Sequence, residues 1–84
     1  MILSIYNRKF PIEKIEVFYN LIQDIARKLE ANVNVETLRD DNAIEEELVE
    51  IYRKEKVLLR FKITKIKLCR DVFCDPVEFH VEVI

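Results

Sequence analysis

The stretch Lys56–Leu68 reads KVLLRFKITKIKL, and the fold turns on it. Val57, Leu59, Phe61 and Ile63 take every second position, with Arg60, Lys62 and Thr64 between them. That is the period of a strand with one face in a core and the other in water. Branched and aromatic side chains also pack well on a pleated backbone, so the residue types agree with the period. At Thr64-Lys65 the phase slips, and Ile66 and Leu68 take up the apolar parity. A bulge is expected there, because one extra residue moves every later side chain to the opposite face. At ~3.3 Å per residue the stretch spans on the order of 40 Å, longer than an ordinary strand. It is therefore expected to bend or to overhang its own sheet.

The neighbours of this strand follow from charge. Its outward row is basic: Arg60, Lys62, then Lys65 and Lys67 around the slip. Pro76 to Ile84 alternates as well, with Val77, Phe79, Val81 and Val83 on one parity and Glu78, His80 and Glu82 on the other. A basic row beside an acidic row suits antiparallel neighbours. On the other side, residues 43–53 fit two templates. As a strand, Val49 and Ile51 alternate with Leu48, Glu50 and Tyr52, and Lys54-Glu55 turns into the central stretch. As a helix, Asn42 and Glu45 form a capping box, and Ile44, Leu48 and Ile51 share a face. We adopt the strand, because the long basic strand needs a partner on each side and Glu47 and Glu50 suit that place.

Upstream, Ile12, Ile15, Phe18, Tyr19, Ile22, Ile25, Ala26 and Leu29 recur at intervals of three and four, which predicts an amphipathic helix over Pro11–Ala31. Pro11 suits its first position, and Asn32 its left-handed stop. Val17 and Leu21 lie off the buried stripe, on a flank bordered by Lys14 and Lys28. Ile2–Tyr6 reads as a strand, Asn7-Arg8-Lys9 as a turn, Val33–Leu38 as a short strand, and Asp40-Asp41-Asn42 as a turn. The class is α+β: one long helix on one face of a mostly antiparallel sheet, in the order β-α-β-β-β-β, forming a single domain over 1–84. Its main contact should join Ile15, Phe18, Ile22, Ile25 and Leu29 to Val57, Leu59, Phe61, Ile63, Phe79 and Val81.

Composition removes several functions. The chain has 84 residues, 50% apolar and 36% charged, with net charge −2. That is enough for one small core, and it gives no general attraction to DNA or anionic membranes. Glycine is absent. Phosphate-cradling loops, dinucleotide fingerprints and glycine-built nucleophile elbows all need that residue, so none is expected. No apolar run approaches the ~20 residues of a membrane span. A cytoplasmic location is the expectation. The abundance of Ile, Glu and Lys leans toward a thermophile or its virus, a bias that an AT-rich genome would share.

Chemistry is sparse. Cys69 and Cys74 flank a short loop. They read as a disulfide, as two thiols, or as part of a metal or redox site with His80, although three soft ligands at this spacing match no zinc motif. His80 lies between Glu78 and Glu82, and the single serine, Ser4, has no reason to lie near it. No catalytic residue, cofactor or metal is assigned. The expected function is non-enzymatic: a protein-interaction module, acting as a homodimer, through Lys14, Val17, Leu21 and Lys28. The alternatives are a nucleic-acid surface made by Arg60, Lys62, Lys65 and Lys67, and a small metal or redox protein using the Cys pair.

Overall fold

The computed structural model describes residues 8–84. The strand expected at Ile2–Tyr6 lies outside them. Strand β1 (Arg8–Pro11) leads through a 3-10 turn (Ile12–Lys14) into helix α1 (Ile15–Lys28). Four strands follow: β2 (Asn32–Asp40), β3 (Ile44–Arg53), β4 (Lys56–Arg70) and β5 (Phe73–Val83). They form one antiparallel sheet in the order β1-β5-β4-β3-β2, with β4 at its centre. Residues 44–53 are thus the strand that the charge argument required. Each Glu from 45 to 47 has a β4 partner: Glu45 faces Lys65, Glu46 faces Thr64 and Glu47 faces Ile63.

The core is where α1 lies on the sheet. Phe18, Ile22 and Ala26 of α1 are buried against Val49 and Ile51 of β3, Phe61 and Ile63 of β4, and Phe79 and Val81 of β5. Phe18 meets Phe61 edge-on at 6.0 Å between ring centroids. Burying so many large apolar groups stabilises the fold at about 25 cal/mol per Å². The contact therefore has the expected centre but not the expected margins. Leu29 and Val57 are exposed, and β3 supplies Val49 and Ile51, which are absent from the expected contact.

Three local expectations are corrected. First, Arg8 and Lys9 do not turn the chain; they pair with Val81 and His80 as part of β1, and Pro11 closes that strand. Second, α1 stops at Lys28, and Glu30 rather than Asn32 takes the left-handed conformation, at φ 54°. The Ala31 amide then reaches back to the Ala26 carbonyl at 2.8 Å, which satisfies one of the groups a helix end leaves open. Third, the register of β4 runs unbroken through Thr64-Lys65 against both neighbours. The shifts lie elsewhere: between Ile51 and Tyr52 in the β3 pairing, and between Ile66 and Lys67 in the β5 pairing.

Turns are made without glycine. Lys54 and Glu55 both have positive φ, at 50° and 67°, which is the backbone of a tight two-residue hairpin turn. Asp71 does the same between β4 and β5, at 55°. Between β2 and β3, Asp41 does the work through its side chain. Its Oδ1 accepts from the Ala43 and Ile44 amides at 2.8 and 2.9 Å, and its other oxygen accepts from Arg39. These bonds hold the Asp41 carboxyl down at about 2, the Ile44 amide first among the causes.

Candidate protein interface

The sheet is longer than its helix. β4 has 15 residues, and the molecule extends 45 Å along its longest axis. At 1.5 Å per residue, the 14 residues of α1 cover roughly 21 Å. The helix-facing row of β4 therefore changes chemistry where cover ends: Leu59, Phe61 and Ile63 give way to Lys65, Lys67 and Cys69.

At the change stands a polar triad. The Tyr19 hydroxyl donates to Glu47 Oε1 at 2.6 Å, and Lys65 Nζ lies 2.9 Å from the same oxygen. Lys65 is also 3.6 Å from Glu45, and 5.8 Å from the centre of the Tyr19 ring. Burial, and then the bond to Glu47, push the Tyr19 hydroxyl up to about 12. Burial alone would raise Glu47, but the Tyr19 and Lys65 hydrogen bonds outweigh it and hold the carboxyl below its usual value. Burial likewise opposes the charge on Lys65, and its partners raise it nonetheless. The triad closes the end of the core with satisfied polar groups, which is the condition for burying them at all.

The four basic residues Arg60, Lys62, Lys65 and Lys67 do not share one face. With the register unbroken, Arg60 and Lys62 lie on the open face and Lys65 and Lys67 on the helix side. Each has a carboxylate: Glu50 at 3.0 Å from Arg60, Glu46 at 2.7 Å from Lys62, Glu47 beside Lys65, and Asp40 at 2.7 Å from Lys67. A phosphate backbone would have to displace those carboxylates before it met any net positive charge.

Cys69 and Cys74 are paired across β4 and β5 and joined as a disulfide. It clamps the end of the hairpin, whose tip carries Leu68, Val72 and Phe73 in the open, Val72 at 85% exposure. This apolar tip was missed in the sequence, where a lone Val-Phe pair inside a turn carries no period. Among the described residues, no group of three His, Cys, Asp or Glu is placed to hold a metal ion. His80 lies half-buried on the open face, opposite Lys9 of β1 and Thr64 of β4.

The flank of α1 singled out in the sequence borders a groove. Phe10 of β1, Lys14, Val17, Phe18 and Leu21 of the helical segment, and Phe79 of β5 line a space of about 320 Å³ with almost no polar surface. Phe10 and Phe79 stack along its floor at 5.4 Å. Val17 is 64% exposed and Leu21 40%, so the wall is open to solvent. The groove exists because α1 packs by the Phe18–Ile22–Ala26 stripe, and the next stripe faces outward beside the short strand β1. Lys28 continues that stripe two turns beyond Leu21 and does not line the groove. No protein-family model matches the chain, and neither a curated protein nor a solved structure does.

Proposed function

We propose that the protein is a non-enzymatic interaction module that works as a homodimer and binds a further protein through the groove of Phe10, Val17, Leu21 and Phe79. The supporting observation is the groove itself: an apolar recess between the helix and the short strand β1, with large side chains held open to water. An exposed apolar recess costs free energy in isolation and returns it when filled. Lys14 at the rim and Lys28 further along α1 suit an apolar segment with acidic neighbours.

Light scattering and affinity capture test the two parts. The intact protein should run as a dimer at high micromolar concentration; a monomer there removes the homodimer. A protein captured by the native chain should be lost when Leu21→Lys is the bait, at unchanged circular dichroism. Capture that is indifferent to Leu21→Lys and to Val17→Lys rejects the groove.

A further inference from the structure

Among the described residues the sheet has two outer strands, and they differ in protection. Among the described residues, β1 pairs with Glu78–Val81 of β5 and ends in Pro11. The part of β5 beyond it carries Pro76 and a register shift. Prolines and bulges both discourage pairing with another chain. β2 has nine residues, no proline, and a single irregularity between Thr37 and Arg39.

The direction of its backbone groups follows from the ladder. Ile44 accepts from the Asp41 amide, so its main chain faces β2. Ala43, one residue earlier, accepts from Lys67 of β4 instead, as alternation requires. By the same alternation Leu48, Glu50 and Tyr52 face β2. Their partners Glu36, Asn34 and Asn32 turn their main chain toward β3. The N–H and C=O groups of Val33, Val35 and Thr37 therefore point away from the sheet. The side chains of these three share the helix face with Ile51, Val49 and Glu47, and Val35 is 50% exposed.

We propose that β2 pairs antiparallel with β2 of a second copy about a two-fold axis at Val35, joining the two sheets edge to edge. This rests on the homodimer reading above and names the surface that makes the dimer. With the axis at Val35, Val33 lies opposite Thr37, Val35 opposite itself, and Thr37 opposite Val33. These are the three residues with outward main-chain groups, so every pair can exchange two hydrogen bonds. On the other face Asn34 meets Glu36, an amide beside a carboxylate. An axis at Glu36 would set two carboxylates directly across, which is destabilising, and an axis at Asn34 would leave Thr37 without an outward-facing partner. Of these three registers the one centred on Val35 is the complementary one, and in it the exposed Val35 side chains cover each other at the centre.

Val35→Pro is the decisive variant. Proline is tolerated where an edge N–H faces solvent, so the β2–β3 ladder survives while the donor at the axis is lost. The dimer dissociation constant, read by analytical ultracentrifugation, should rise roughly 30-fold, the effect of two hydrogen bonds across the axis. In parallel, Val35→Cys supplies a free thiol on a chain whose described cysteines are bonded to each other. Mild oxidation should cross-link Val35→Cys into a covalent dimer and leave Val17→Cys uncross-linked. A wild-type protein that is monomeric throughout overturns both this inference and the homodimer. A wild-type dimer that Val35→Pro leaves intact, or a cross-link at Val17→Cys and none at Val35→Cys, overturns the β2 axis alone.

Discussion

The two halves of the sheet use opposite means to stay together. Under α1, the helix-facing rows are Val49 and Ile51 on β3, Phe61 and Ile63 on β4, and Phe79 and Val81 on β5, all at most 1% exposed. Past the first turns of α1, the same rows hold Glu45 and Glu47, Lys65 and Lys67, and then the Cys69–Cys74 bond. The strands and their pairing are continuous across the boundary. What changes is whether a helix lies above them. Under the helix the row excludes water and gains from apolar area; past it the row is polar and partly buried, and it is held by ion pairs and a covalent clamp. The length of the helix thus sets how much of a strand can be apolar.

The largest effect should come from the covered half. Phe61→Ala removes a ring in contact with α1, and chemical denaturation should show a loss of about 3–5 kcal/mol. A loss under about 1 kcal/mol would mean that Phe61 is not central to the core. Next comes the clamp. Replacing Cys69 and Cys74 by Ser frees a short loop, worth on the order of 2 kcal/mol in the chain-entropy model. Melts of oxidised and reduced wild type should differ by about as much, and identical melts would show the bond to be idle.

The smallest effect should be ionic, and it has a sign. Glu47 and Asp41 both titrate below their usual values of 4.5 and 3.8 in the folded protein. A depressed carboxylate adds stability above its unfolded pKa and loses it as pH falls through the folded one. Stability should therefore fall as pH drops below about 4.5, and the contribution of Asp41 should be lost as pH falls through about 2. Glu47→Gln and Asp41→Asn should each flatten that decline, Asp41→Asn in the part that reaches about pH 2. Acid denaturation curves that are unchanged in both variants would assign the decline to other carboxylates.

Much of this was legible in the residues. The spacing of Phe18, Ile22 and Ala26 marked the helix, and Phe61 and Ile63 the central strand. The exposed flank of Val17 and Leu21 was visible as apolar residues off the stripe. The phase slip at Lys65 marks the end of the helix cover and not a bulge. A bulge and the end of a covering layer leave the same trace, since in both cases apolar residues cease on one parity and begin on the other. Ile66 is on the open face because Ile44 of β3 lies directly opposite it, not because the strand is bulged there. The groove was only half visible: Val17 and Leu21 announced one wall, but Phe10 and Phe79 come from strands distant in sequence, and no local pattern brings them together.

Residue spacing was enough for the helix and for the alternating strands at 57–63 and 77–83, and charge chose the strand for 44–53 where spacing alone fits two templates; the polar pair Arg8-Lys9, expected to turn, is strand instead. The helix and these strands follow from side-chain spacing and charge, which act between near neighbours. The packing of the layers fixed where α1 stops covering the sheet, which basic residue meets which carboxylate, that the two cysteines are joined, and which strands lie outermost among the described residues. Those depend on how far one layer reaches across another, and that distance is set by the packing of the whole.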